Sequence, residues 1–336
     1  MHDNRRRWDG TPGHYEVWYL TSNHLASRTG YWIRYTLESP EPGRGEPYAQ
    51  LWFAFFCADD PAKNFAINRK RPIAQLTAVA DPFSVAIDES RLTRDRASGR
   101  LAGAGHEAVW DLRWIPSART HRQLPGIMYL RGGLGETTVL SPNLDISLQG
   151  TITVDGRPYH FGGEPAGQSH VWGRKHAFQW AWGHCNAFRG RPGAALEVLS
   201  VILQRRGRLL PRLTTFVLYL DGRVHRFNQF RHTARTSAEV ASTRLAFRGR
   251  SARWRIEGEY LCRPEDMVVA EYTDPDGTAS HCANTEVADL RVTVFERRGP
   301  MGWREHARLI APRTGHFEIG GRTRDPLLLA DHQTVD

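Results

Sequence analysis

The stretch Leu144-Asp145-Ile146-Ser147-Leu148-Gln149-Gly150-Thr151-Ile152-Thr153-Val154 alternates apolar and polar residues, with Leu144, Ile146, Leu148, Ile152 and Val154 on one side of the count. A period of two is the mark of a β-strand with one wet face. The same rhythm returns at His106 to Trp114 and at Ala252 to Tyr260. Hairpin signals follow the strands, at Asp155-Gly156, Asp221-Gly222 and Asp276-Gly277. Helical periodicity is confined to Ala194–Gln204 and Ser237–Leu245, and the Val and Ile content of the first also suits a strand. Many short strands without a βαβ rhythm predict an all-β chain of antiparallel barrels or sandwiches.

At 336 residues the chain has room for two such units. We place the boundary in Gly162-Gly163-Glu164-Pro165-Ala166-Gly167, giving domains at 1–162 and 163–336, with loops at Ser39–Pro47, Leu92–Gly105 and Ser117–Gln123. No close internal sequence repeat is present, so any likeness between the halves would be one of fold.

Hydrophobic residues at 40% and charged residues at 24% fit a globular protein, and no apolar run approaches the ~18 residues of a membrane helix. The densest, Leu51 to Cys57, is strand-length. The N-terminus carries Arg5, Arg6 and Arg7 without a following apolar segment, which predicts a cytoplasmic protein. The net charge of +9 is almost all arginine. It permits peripheral contact with an anionic membrane, but its short clusters lack the interleaved aromatics of a nucleic-acid groove, so no nucleic-acid partner is expected. Cys57, Cys185, Cys262 and Cys282 are too widely spaced for a zinc ribbon and read as buried free thiols.

The most unusual block runs from Gln168 to Phe188. From His176 onward, large residues fall on even positions (His176, Phe178, Trp180, Trp182, His184, Asn186, Phe188), and the odd positions are small apart from Gln179. A strand of this kind needs close packing on its small face and offers an amphipathic wall on the other. That wall fits a filled core, or a ligand cavity with a few convergent polar groups.

Trp172-Gly173, Trp180-Ala181-Trp182 and Cys185-Asn186-Ala187-Phe188 together resemble the W-G … W-x-W-x-x-C-N-x-F pattern of tocopherol cyclase-like proteins, relatives of the carotenoid hydratases. The opening at Gly13–Tyr19 and Trp32–Leu37 resembles the N-terminal hairpin of that group. The resemblance implies a pair of lipocalin-like β-barrels around a greasy pocket, with cofactor-free chemistry on isoprenoid or polyketide-like molecules. Plant-type cyclases tend to have Gln where this chain has His184, and the hydratases have an Asp-Ser pair where it has Ser169-His170-Val171-Trp172, so neither specific activity carries over.

The expected protein thus has two lipocalin-like antiparallel β-barrel or sandwich domains and acts as a cofactor-independent cyclase, hydratase or isomerase on a hydrophobic prenylated or polyene molecule. The alternative is a non-catalytic carrier or sensor using the same pocket. Candidate proton donors are His170, His184 and Glu16. Trp172, His176, Trp180, Trp182 and Asn186 are candidates for the substrate wall. No metal is expected, because an extended strand sets His176 and His184 about 26 Å apart. Gly103-Ala104-Gly105-His106-Glu107-Ala108 leads into a strand, not a helix, and is no dinucleotide fingerprint. Gly167-Gln168-Ser169-His170-Val171 lacks the second glycine of a nucleophile elbow.

Overall fold

The computed structural model describes residues 3–117, 119–123, 129, 137–299 and 302–328. Its elements are strands and short 3-10 turns, and the chain divides in order between two antiparallel sheets. The first contains β1 (His14–His24), β2 (Thr29–Ser39), β3 (Tyr48–Cys57), β4 (Phe65–Pro72), β5 (Leu76–Ala80), β6 (Phe83–Ile87), β7 (Ser90–Thr93), β8 (Arg96–Gly103), β9 (His106–Arg113), β10 (His121–Arg122), β11 (Thr137–Val154) and β12 (Arg157–Gly173). The second half begins with β13 (Gln179–Cys185) and β14 (Ala195–Ile202), then a small separate ribbon of β15 (Gln204–Arg205) and β16 (Arg208–Leu209). It continues with β17 (Leu213–Leu220), β18 (Arg223–Phe227), β19 (Thr236–Ala241), β20 (Arg244–Arg250), β21 (Trp254–Leu261), β22 (Val268–Thr273), β23 (Ala279–Arg297) and β24 (Trp303–Gly321).

Both sheets follow one plan. The first is ordered β4-β3-β2-β1-β12-β11-β9-β8-β7-β6-β5 with β10 beside β11; the second is ordered β18-β17-β14-β13-β24-β23-β21-β20-β19 with β22 beside β23. In each, the opening strand pairs with the last, and the two edge strands are consecutive in the chain. Only the turn Ile73–Gln75 separates β4 from β5, and the turn Phe230–Arg235 separates β18 from β19. Each sheet therefore curls back on itself toward a barrel and encloses its own core. Trp18, Phe53, Trp110 and Ile152 fill the first; Val198, Phe216, Tyr260 and Phe317 fill the second.

A third apolar cluster lies between the barrels and contains Tyr15, Val17, Trp32, Trp52, Phe56, Trp182 and Val268. It explains why Leu51 to Cys57 does not alternate. Leu51, Phe53 and Phe55 point into the first barrel, while Trp52, Ala54 and Phe56 point into the junction. A strand buried on both faces reads as a continuous apolar run. By contrast β9 keeps its period of two, with Ala108, Trp110 and Leu112 buried and Val109, Asp111 and Arg113 exposed.

The hairpins at Asp155-Gly156 and Asp221-Gly222 form, and all four residues adopt positive φ, as a type I′ turn requires. Several expectations need correction. The Gly162–Gly167 stretch lies inside β12, and the chain changes sheet after Gly173 and before Gln179. The helical option at Ala194–Gln204 is the strand β14, and Ser237–Leu245 belongs to the β19–β20 hairpin. The expected loop Leu92–Gly105 carries the end of β7 and the whole of β8. Cys185, Cys262 and Cys282 are buried free thiols, whereas Cys57 is partly exposed. Among the described residues no helix is long and apolar enough to cross a membrane.

Candidate functional site

The two faces of β13 do different work. Ala181 and Cys185 enter the second core, and a Cβ on Gly183 would stand 2.6 Å from the Tyr260 ring, so that ring packs directly on the backbone. The opposite face turns Trp180, Trp182 and His184 toward the first sheet. There a cavity of about 330 Å³ opens between the sheets, walled by Val17, Tyr19 and Trp32 from the first and by Trp180, Trp182, Leu199 and Tyr272 from the second.

Trp182 meets Tyr19 edge-on, with ring centroids 5.6 Å apart, and its Nε1 donates to Glu197 Oε1 at 2.9 Å. Trp180 stacks on His176 at 5.3 Å and donates through Nε1 to Glu318 Oε1 at 2.6 Å. Glu318 and Arg34 also line the cavity. Glu197 stands behind Trp182, accepts from Ser141 Oγ at 2.6 Å, and has no partner for Oε2 among the described residues. Burial pushes its carboxyl up to about 7 against the lowering effect of hydrogen bonds from Ser141 and Trp182.

Of the residues singled out from the sequence, His176, Trp180 and Trp182 line this cavity. The others are placed elsewhere. Glu16 and His170 are brought together at 2.8 Å, both fully buried, on the face of β1 and β12 that looks into the first barrel. Glu16 also accepts from the backbone N–H of Arg7 at 2.8 Å and of Trp8 at 2.9 Å, while His170 Nδ1 lies 2.9 Å from the Asp3 carbonyl. Burial opposes ionisation of Glu16, but hydrogen bonds from His14, His170 and Trp8 hold it down to about 2. The pair fastens the N-terminal segment to β1 and β12. Trp172 lies opposite Glu16 in register, under the Arg7 guanidinium at 4.8 Å. Asn186 Nδ2 donates to Asp145 Oδ1 at 2.9 Å and to the Ala166 carbonyl at 3.0 Å, tying the two halves together away from the cavity lining.

His184 lies behind Trp182, its ring parallel at 6.1 Å, and contacts the Leu144 carbonyl through Nε2 at 2.7 Å. Its Nδ1 faces His316 Nδ1 at 3.0 Å, and His316 Nε2 faces Asn23 Oδ1 at 2.8 Å. Two neutral rings bring two N–H groups to these three contacts, so the Nδ1 pair is the seat a third proton would take. Burial opposes that charge and lowers both pKa values, that of His184 to about 4. Burial likewise raises the nearby Glu286 carboxyl well above its usual range; Glu286 is held by Thr21 Oγ1.

Sequence reading missed Arg34, Glu197 and Glu318. Their signal is visible once the face is known: each is a charge flanked on both sides by apolar or aromatic residues, at Ile33-Arg34-Tyr35, Leu196-Glu197-Val198 and Phe317-Glu318-Ile319. Among the described residues no group of three His, Cys, Asp or Glu side chains is placed to hold a metal ion.

The family model described as tocopherol cyclase-like matches residues 135–321, more than half of the chain. The chain belongs to the tocopherol cyclase-like family. The match spans β11 and β12 and the whole of the second sheet, including every cavity residue named above from that sheet. Over 329 residues this tocopherol cyclase-like chain is 29% identical to two uncharacterized proteins of Mycobacterium tuberculosis, from strains CDC 1551 and H37Rv, covering 94% of the chain and 89% of each relative. Two solved structures share its fold. An AttH-type protein of Nitrosomonas europaea has a TM-score of 0.51 at 14% identity, covering 92% of this chain and 93% of that one. Kievitone hydratase from Nectria haematococca has a TM-score of 0.55 at 7% identity, covering 96% and 93%.

Proposed function

We propose that this chain is an enzyme of the cyclase or hydratase type, acting on an apolar prenylated or polyene molecule held between the two barrels. Family membership supports the reaction class, and one protein of the same fold is a hydratase by name. The observation that carries the reading is Glu318, a carboxyl group set into an aromatic and aliphatic cavity and oriented by the Trp180 indole.

The chemistry follows from that setting. Glu318, as the general acid, gives a proton to one carbon of a substrate alkene, leaving a carboxylate and a carbocation on the neighbouring carbon. The faces of Trp180 and Trp182 stabilise the cation, an attraction of ~2 kcal/mol where water is excluded. A hydroxyl of the substrate closes a ring on the cation, or water adds to it, and the proton released by that oxygen returns to Glu318. Glu197 acts through Trp182, whose indole it holds in place; it is a positioning residue.

The test is turnover of prenylated hydroquinones and linear polyenes in deuterated water by the wild type and Glu318→Gln. One carbon-bound deuterium per product is expected, with kcat at least 100-fold lower in the variant and binding within a few-fold. Binding with the ligand recovered unchanged would make the protein a carrier. A product without carbon-bound deuterium, or undiminished turnover by Glu318→Gln, would contradict the mechanism.

A further inference from the structure

Arg34 enters the cavity wall from the middle of β2 and is only 6% exposed. Its guanidinium lies over Tyr272, 4.1 Å from the ring centroid, and 5.7 Å from that of Trp32. Nε donates to Thr36 Oγ1 at 3.0 Å. These contacts hold the fork and engage it through its π face and its Nε. Among the described residues, no carboxylate oxygen lies within 4.0 Å of it and neither Nη has a hydrogen-bond partner. Glu318 shares the cavity without reaching ion-pair distance, and Glu38, on the same face of β2, is pushed toward its neutral form by burial and by Asp274, which outweigh the opposing pull of Arg34.

A guanidinium removed from water needs an anion or a set of acceptors in return. The free Nη edge of a fixed, planar fork matches a carboxylate with two parallel hydrogen bonds, and stacking on Tyr272 restricts the fork to one orientation. We infer that the ligand of this cavity is an anionic amphiphile, with a carboxylate on the Nη edge of Arg34 and an apolar body along Trp180, Trp182 and Val171. This deepens the reading of the cavity as a site for apolar molecules and rests on it.

The full-length protein is titrated at neutral pH with cis-parinaric acid, a fluorescent tetraene carboxylate, and with its methyl ester. The acid is expected to bind at least tenfold tighter than the ester. Arg34→Met should remove that preference by weakening the acid tenfold or more while leaving the ester within about twofold, and Arg34→Lys should keep part of it. Equal affinity of acid and ester for the wild type, or a preference that survives in Arg34→Met, overturns the inference and leaves the apolar cavity standing. Failure of the wild type to bind either probe overturns both. Should Arg34→Met not fold, the wild-type ratio of acid to ester decides.

Discussion

Glu197 and His184 are register partners on β14 and β13, and burial moves their titrations in opposite directions. In the folded chain Glu197 keeps its proton up to about 7, whereas the unfolded chain releases it near 4.5. Its contribution to stability is therefore complete below the unfolded value and is lost as pH rises through about 7. His184 stays neutral down to about 4 when folded but takes up a proton below 6.5 when unfolded. Its contribution is complete above 6.5 and is lost as pH falls toward 4. Each shift corresponds to roughly 3 kcal/mol. Glu197→Gln removes the first, so urea unfolding should show the variant gaining on the wild type by roughly 3 kcal/mol between pH 4.5 and 7.5. A difference that does not change with pH would show that Glu197 titrates normally. At this scale the sequence disclosed Trp180, Trp182 and His176 as wall residues because they alternate with small ones. It could not place Trp172, Glu16 and His170, because alternation assigns a side chain to a face of its own strand and does not say which buried face looks into a barrel and which into the junction.

The strand β13 shows how one element serves a core and a cavity together. Gly183→Ala would drive a methyl group toward the Tyr260 ring at 2.6 Å, in a closely packed core. A loss of about 1–3 kcal/mol is expected, measured by chemical unfolding. Tyr260→Leu in the same chain should recover part of it, and strict additivity of the two changes would deny the contact. On the other face, Trp182→Ala should both weaken ligand binding and destabilise the fold, since the indole packs on Tyr19 and donates to Glu197 as well as lining the cavity. Binding lost at full stability would mean that the junction does not depend on this ring. Strands with one wet face, such as β9 and the second half of β11, were legible from their period of two. Ser237–Leu245 was not, because β19 and β20 are short strands joined at Ser242-Thr243, and a turn inside a nine-residue window mimics helical spacing.

Across the whole molecule, one topology is used twice without a sequence repeat, because strand order depends on where apolar faces and turns fall and not on residue identity. The boundary was misplaced for a related reason: Gly162, Gly163 and Pro165 suggest a linker, yet they sit within a 17-residue strand whose pairing with β11 shifts register nearby. Close approach of the two sheets depends on glycine. A Cβ on Gly30 would lie 2.4 Å from Glu286 Cβ and 3.0 Å from its carbonyl oxygen, where β2 meets β23. Gly30→Val should thus part the sheets, lowering affinity for an apolar probe tenfold or more while circular dichroism still reports β structure; unchanged affinity would separate the cavity from the junction. The central claim is that the functional cavity lies between the barrels and not inside either one. A crystal structure of the protein with a bound polyene tests it most directly: electron density for the ligand is expected between the sheets, against Trp180, Trp182 and Glu318, and density inside the core of one barrel would contradict the account.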